Sequence, residues 1–145
     1  MLDDVAAELR ALPAALAGSE EGLGLRAVLH QERKEWPAMQ SVSRELTRLR
    51  PDSAGAWIMW AYATRRADSL ESAERILTQA RGHHPEEPTV LFNLGCYACQ
   101  RGDIALARQL VEAAIAHDAS FASLAATDTD LGPLRATRWT PPGSP

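Results

Sequence analysis

Several features that would point to a membrane, a nucleic acid or a secreted protein are missing from the sequence. No apolar run approaches the roughly 20 residues that a helix needs to cross a bilayer. The N-terminus is rich in alanine and leucine, but Asp3, Asp4 and Glu8 stand where a signal peptide needs positive charge. The net charge is −4 and Lys34 is the single lysine, so the chain lacks the basic footprint of a nucleic-acid-binding protein. We therefore expect a cytoplasmic protein that binds neither membranes nor nucleic acid.

Cysteine is scarce too, and the two cysteines that are present, Cys96 and Cys99, stand three residues apart. In a helix this spacing is too short for a comfortable structural disulfide, and a reducing compartment is the default. A thioredoxin-type site needs its first cysteine at the N-terminus of a helix that follows a strand, and a zinc site needs two further ligands. The sequence offers neither context. We interpret the pair as small structural residues, with redox or metal chemistry as the alternative, and we expect no cofactor and no metal.

What the sequence does contain is an internal repeat of 34 residues. Shifted by that period, the segment 54–87 falls onto 88–121, and apolar or small residues coincide. The matching pairs are Trp57 with Leu91, Ala61 with Gly95, Leu70 with Ile104, Ala73 with Ala107, Leu77 with Val111 and Ala80 with Ala114. One period earlier, Leu23 and Ala27 take the corresponding places. A repeat of this length, built from two helices and a turn, is typical of tetratricopeptide repeats (TPRs).

The repeat predicts six helices. They span residues 20–34, 37–49, 54–67, 70–82, 88–101 and 104–117. Trp36-Pro37 marks a helix start, and Gly82 and Gly102 mark helix ends. The N-terminal segment is in register with the second helix of a preceding repeat whose first helix is missing. After the last repeat, "SFASLAATDTDLGPLR" indicates a short capping helix and a turn.

We predict a single domain at residues 1–136. Its parts are a half-repeat at 3–17, repeats at about 20–53, 54–87 and 88–121, and a cap at 122–136. One helical hairpin cannot bury its own apolar face, so neighbouring hairpins must stack. Alanine or glycine where two helices cross lets their backbones approach closely. The tail at 137–145, which includes "TPPGSP", is expected to be disordered.

Over about residues 20–121 the chain resembles the TPR superfamily. The segments "EWPAMQSV", "WAYATRRADSLESAERIL", "FNLGCYACQRGD" and "DTDLGPL" look like a group of small stand-alone bacterial TPR proteins. The resemblance implies an all-α fold, a TPR-type α-solenoid of antiparallel helical hairpins. It would hold about three repeats, an N-terminal half-repeat and a C-terminal capping helix. Ala119 stands where a proline should close the third repeat, which indicates a looser end.

In a TPR stack, the first helix of each hairpin lines a concave groove with a stripe of exposed residues at helical spacing. Arg66 and Gln100 flank two such stripes, and Asn93 occupies one place of the carboxylate clamp of chaperone-binding TPR domains. The rest of that clamp is absent, because Ile58 and Tyr62 stand where lysine and asparagine are expected. The predicted partner-binding residues of the groove are Val28, Ile58, Tyr62, Arg65, Arg66, Phe92, Asn93, Cys96, Cys99 and Gln100.

No catalytic constellation is visible in the sequence. The "GLG" at 22–24 lacks the strand and the lysine of a phosphate-binding loop, and acidic pairs stand at predicted helix N-termini, where they cap free N–H groups. We therefore predict a non-enzymatic protein–protein interaction module. Aromatic anchors beside Arg65 and Arg66 suit an unidentified protein or short peptide with an acidic or C-terminal carboxylate group. The alternatives are a self-associating homodimer that uses exposed end helices, and thiol redox or metal chemistry at the cysteine pair.

Overall fold

Helices make up the regular structure of the described part of the chain. The computed structural model describes Asp3, Asp4, Ala7, Arg10 and residues 18–143. The helices are α1 (Glu20–Glu32), α2 (Trp36–Leu49), α3 (Ala54–Ala67), α4 (Leu70–His83), α5 (Pro88–Gln100), α6 (Ile104–His117), α7 (Phe121–Thr127) and α8 (Gly132–Arg135), with a short 3-10 helix (Thr129–Leu131) before α8. The prediction of an all-α chain is confirmed over these residues.

The 34-residue period of the sequence is also the period of the helices. The first helices, α1, α3 and α5, begin at residues 20, 54 and 88. The second helices, α2, α4 and α6, begin at residues 36, 70 and 104. Both series therefore repeat every 34 residues, and the predicted ends of all six helices lie within two residues of the observed ones.

Local side chains explain where these helices begin. The Ser19 hydroxyl accepts the N–H of Gly22 at 3.2 Å, and the Ser53 hydroxyl accepts the N–H of Ala56 at 3.3 Å. Each serine satisfies a backbone donor that the first turn of a helix leaves without an intrahelical partner. Pro37 lies in the first turn of α2, where its missing N–H removes no hydrogen bond. Of these three residues, Pro37 is the one from which a helix start was predicted.

The turn after α5 needs a left-handed residue, and the chain places glycine there. Gly102 has a φ of 91°, and its N–H donates to the Cys99 carbonyl at 3.1 Å. Glycine adopts this conformation without the steric penalty of a Cβ atom. Lys34 follows α1 with a φ of 57° at the corresponding place two periods earlier. The predicted stop at Gly82 is wrong by one residue, because α4 continues to His83.

The chain divides into two compact units, Met1–Ile76 and Leu77–Pro145, and the boundary falls inside α4. In the first unit, α1 packs against α2, and α2 packs against α3. The buried core of this unit is formed by Leu23, Ala27, Val42, Leu46 and Ala56, with Met59 packed against it. The Trp57 indole N–H donates to the Pro51 carbonyl at 2.9 Å, so the ring is tied to the turn that precedes α3.

In the second unit, α5 and α6 approach so closely that glycine is required at the crossing. A Cβ atom added to Gly95 would come within 2.7 Å of Val111 Cγ2 and 3.3 Å of the Ala107 carbonyl oxygen. Ala107 and Val111 are fully buried. The prediction that small residues let the two helices of this hairpin approach is therefore confirmed at Gly95 and Ala107.

Residues 121–143, here called the C-terminal segment, fold back onto α5 and α6. Leu131 and Leu134 have no exposed surface. The Asp128 carboxylate accepts the N–H of Asp130 at 2.9 Å and so caps the 3-10 helix. The Arg135 side chain donates to the Ala125 carbonyl at 2.9 Å. The segment predicted as a cap is bent, because Asp128 ends α7 after seven residues and redirects the chain.

Part of the predicted disordered tail, 137–145, is packed against α6. Trp139 is 9% exposed, and its indole N–H donates to Glu112 Oε1 at 2.9 Å. That hydrogen bond lowers the pKa of Glu112, and the nearby Arg108 lowers it further. The prediction underestimated the apolar area and the indole donor that a single tryptophan brings to a terminal segment. Residues 144–145 lie outside the described part of the chain.

The predicted half-repeat at 3–17 falls mostly outside the described residues. Asp3, Asp4, Ala7 and Arg10 are helical, and Asp3 Oδ1 accepts a hydrogen bond from Arg33 Nη2 at 2.8 Å. Across the described residues, no helix has the length and apolar character that would let it span a bilayer.

Candidate functional site

The predicted groove residues fall in both units, and those of the first unit lie on α1 and α3 and are at least partly exposed. Val28 on α1 is 51% exposed. Ile58, Tyr62 and Arg65 on α3 are half-buried, and Arg66 is exposed. The first unit therefore keeps its five predicted side chains at least partly accessible, although Arg65 has a contact of its own.

Arg66 is held in place by two aromatic rings, an arrangement that we call the Arg66 cluster (Trp36, Tyr62 and Arg66). The guanidinium carbon lies 3.4 Å from the Tyr62 ring centroid and 5.3 Å from the Trp36 ring centroid. The two rings meet edge to face, with centroids 5.8 Å apart. Arg66 Nη1 also donates to the Tyr62 carbonyl at 2.9 Å. These contacts fix a long, flexible cation in one orientation.

The fold explains why these three residues meet. Trp36 is the first residue of α2, and Tyr62 and Arg66 lie one turn apart on the last two turns of α3, which packs against α2. The Gln40 amide donates to the Thr64 hydroxyl at 3.2 Å, which adds a polar tie between the two helices. Sequence reasoning recognised Trp36 only as a helix start. A sequence signal for the cluster did exist. In an antiparallel hairpin the start of one helix lies beside the end of the next, which brings the aromatic Trp36 near Arg66.

The Arg66 cluster is suited to hold a carboxylate. Within the described residues, Arg66 forms no ion pair with a carboxylate. Its planar guanidinium carries five N–H donors, and such a group binds carboxylates in a bidentate manner. Because the aromatic faces already restrict the side chain, less rotamer entropy remains to be lost when a ligand binds.

In the second unit, three of the predicted groove residues are buried. Phe92, Cys96 and Cys99 are 4%, 3% and 2% exposed, so the prediction that they form an exposed stripe is wrong. Asn93 is half-buried, and Gln100 is exposed. The physical reason is that the chain's own C-terminal segment lies on this side of α5, as the contacts of the 3-10 helix and α8 with α5 show.

Specific contacts fasten the C-terminal segment to these residues. The Phe92 ring lies 5.3 Å from the Phe121 ring. Gln100 Nε2 donates to the Asp130 carbonyl oxygen at 2.9 Å. The Cys99 thiol forms a hydrogen bond with the backbone of Leu134. Phe92, Cys99 and Gln100, which were predicted to bind a partner, therefore contact residues 121–134 of the same chain.

Cys99 occupies an environment that disfavours the thiolate. Both cysteines are free and buried. Burial raises the pKa of the Cys99 thiol and outweighs the hydrogen bond with the Leu134 backbone, which lowers it; the nearby negative charge of Asp130 raises it further. A thiol needs a stabilised thiolate to act as a nucleophile or a redox group. The surroundings of Cys99 fit the interpretation as a structural residue.

Among the residues that the structure describes, one group of side chains could hold a metal ion. Ligand atoms of Cys96, Asp128 and Asp130 all lie within 4.8 Å of one another. Cys96 is buried and the two aspartates are half-buried. Sequence reasoning missed this group because the fold-back of the C-terminal segment brings the aspartates to the cysteine. The Asp128 carboxylate accepts the Asp130 N–H and so caps the 3-10 helix. This capping role explains the position of the Asp128 carboxylate without a metal ion.

A surface depression of about 700 Å³ lies at the N-termini of α1 and α3. It is lined by Ser19, Glu20, Glu21, Gly24, Leu46 and Ser53. Glu20 pairs with Arg50 at 2.5 Å, and Ser19 and Ser53 are engaged as helix caps. These polar groups serve the helix ends, as expected for acidic and hydroxyl side chains at these positions.

Comparisons of the chain with protein-family models and with curated protein sequences found no match.

Proposed function

We propose that the chain is a non-catalytic protein-binding module, built as a TPR-type α-solenoid, which binds a segment of a partner protein on the exposed surface of α3. The observation that carries this proposal is the Arg66 cluster, in which Tyr62 and Trp36 orient an exposed guanidinium. The 34-residue spacing of the helices supports the TPR-type architecture.

The composition of the α3 surface favours recognition of another protein. Tyrosine, tryptophan and arginine are the residue types that most often concentrate binding energy at protein interfaces. Ile58 adds apolar area one helical turn before Tyr62 on α3, and Val28 is an exposed apolar residue on α1. The partner's segment would place an acidic or C-terminal carboxylate on Arg66 and an apolar side chain beside Tyr62.

Affinity capture from the cells that produce the protein tests this proposal. Full-length wild type, Tyr62→Ala and Arg66→Ala are used as baits, with Arg44→Ala as the matched control. Arg44 is also an exposed arginine of the first unit, and its guanidinium carbon lies 6.0 Å from the Trp60 ring centroid. Partners held by wild type and Arg44→Ala but lost from both α3 variants support the proposal. Equal retention by all four baits contradicts it.

A second candidate function, self-association, is favoured by an apolar patch on α1. Leu25 and Val28 are 50% and 51% exposed, and they lie about one helical turn apart. Two neighbouring exposed apolar side chains on one helix face would be buried in a dimer interface. If the chain forms a homodimer through this patch, light scattering will give a dimer mass for wild type and a monomer mass for Leu25→Asp. A monomeric wild type over the accessible concentration range excludes this candidate.

A further inference from the structure

The internal repeat allows two surfaces of the molecule to be compared residue by residue. We define the α3 face as Ile58, Tyr62, Arg65 and Arg66, and the α5 face as Phe92, Cys96, Cys99 and Gln100. The 34-residue shift maps each member of the first set onto a member of the second. The C-terminal segment packs on the α5 face. The molecule therefore contains one example of a segment that binds at these repeat positions.

The occupant of the α5 face is an acidic turn that carries a leucine. Asp128 caps the turn by accepting the N–H of Asp130, and Leu131 donates its N–H to the Asp128 carbonyl at 3.1 Å. Leu131 is fully buried. The side chain at the last position of the face, Gln100, donates to the Asp130 carbonyl. The turn is internal to the chain, so its recognition involves no terminal carboxylate.

The α3 face differs from the α5 face at the positions that meet this turn. Arg66 corresponds to Gln100, so a charged, planar donor stands where α5 has a neutral amide. Tyr62 corresponds to Cys96, and its ring orients the guanidinium. A guanidinium pairs more strongly with a carboxylate than with a carbonyl, because both charges contribute to the hydrogen bonds.

We infer that the α3 face binds an internal acidic turn of a partner protein, with the chemistry Asp-x-Asp-Leu, in which the aspartates meet Arg66 and the leucine packs beside Tyr62 and Ile58. This inference rests on the proposed function and narrows it. The partner binds through a turn in the middle of its chain. The aspartate side chains of that turn supply the negative charge, in place of a C-terminal carboxylate.

Peptide binding to the full-length chain tests the inference. The probe is a fluorescent peptide of residues 127–135, "TDTDLGPLR", with blocked ends, and its partner probe has both aspartates replaced by asparagine. Wild type binds the aspartate peptide, and the asparagine peptide binds about ten- to a hundredfold more weakly, as expected when charge-assisted hydrogen bonds are lost. Arg66→Ala lowers the affinity for the aspartate peptide by a similar factor, and the control Arg44→Ala leaves that affinity unchanged.

Two further measurements distinguish peptide binding at the α3 face from binding at the α5 face. At the α5 face the peptide would have to displace the chain's own C-terminal segment. Gln100→Ala leaves peptide binding unchanged if the α3 face is the site. The Cys96 and Cys99 thiols also stay unreactive toward a thiol reagent during peptide binding, because the C-terminal segment remains in place. A peptide that releases the thiols, or whose affinity depends on Gln100 and not on Arg66, overturns the inference.

The two proposals can fail separately. Absence of binding by the aspartate peptide, or equal binding of both peptides, overturns the acidic-turn inference. The Arg66-dependent capture of a partner protein would still support the proposed function in that case. An asparagine peptide with a free C-terminal carboxylate that binds as well as the blocked aspartate peptide indicates recognition of a chain end, and this result also overturns the inference.

Discussion

At the scale of the residue, α5 and α6 cross with little room between their backbones. Ala107 is fully buried, and its carbonyl oxygen lies near the place that a Cβ atom on Gly95 would occupy. We expect Ala107→Leu to lower the free energy of unfolding by about 1–3 kcal/mol, because the larger side chain overpacks the crossing. Ala105→Leu is the matched control, since Ala105 is exposed on the same helix. If chemical denaturation shows that both variants are equally stable, the alignment of repeats that places Ala107 at a helix crossing is contradicted.

The two cysteines give a second expectation at this scale. Replacing both Cys96 and Cys99 by alanine removes two buried sulfur atoms, so we expect the free energy of unfolding to fall by about 1.5 kcal/mol. The fold and the binding by the α3 face are expected to persist. Metal analysis of the purified wild type and the double variant checks the same residues. Stoichiometric zinc in wild type that disappears in the double variant would show that Cys96, Asp128 and Asp130 form a metal site.

Residue types and spacing predicted some side-chain environments and missed others. The close crossing at Gly95 was predictable, because small residues recur at the 34-residue period and a helical hairpin needs them there. The Arg66 cluster was only half predictable. Its cation and its tyrosine lie on one helix at adjacent turns, but Trp36 comes from the preceding helix, and the sequence alone does not show that its ring reaches Tyr62.

At the scale of the element, the C-terminal segment determines which α5 residues are accessible. Leu131 has no exposed surface, and it lies next to residues that fasten the segment to α5. We expect Leu131→Ala to reduce the free energy of unfolding by about 2–5 kcal/mol and to raise the reactivity of Cys96 and Cys99 toward a thiol reagent. Leu124→Ala is the control, because Leu124 in the same segment is 50% exposed. Thiols that react equally in wild type and Leu131→Ala would contradict the account of how the α5 face is covered.

The helices themselves were well predicted because their signals are local. Serine caps, prolines in first turns and the glycine after α5 act within a few residues of each helix end. The covering of the α5 face was not predictable in this way. It depends on contacts such as Gln100 with Asp130, thirty residues apart in sequence, and on the bend that the Asp128 cap imposes. Helical spacing identifies a stripe on a helix, but it does not show which other segment packs over it.

At the scale of the whole molecule, the negative net charge makes the binding of an acidic partner depend on local contacts at the α3 face. The chain carries a net charge of −4, so an acidic partner is not attracted by the molecule as a whole. Recognition of a carboxylate must then come from short-range contact with Arg66, which two aromatic rings hold in place. Binding should therefore depend strongly on this one side chain and only weakly on exposed arginines elsewhere.

The measurement that tests this account most directly is a set of binding isotherms for a captured partner protein at several salt concentrations. Wild type, Arg66→Ala and the control Arg44→Ala are compared as full-length chains. We predict that Arg66→Ala weakens binding by about 1–3 kcal/mol and flattens the dependence of affinity on salt, because a charge-assisted contact is removed. Arg44→Ala should match wild type in both respects. If Arg66→Ala binds as wild type does at every salt concentration, the α3 face is not the binding surface.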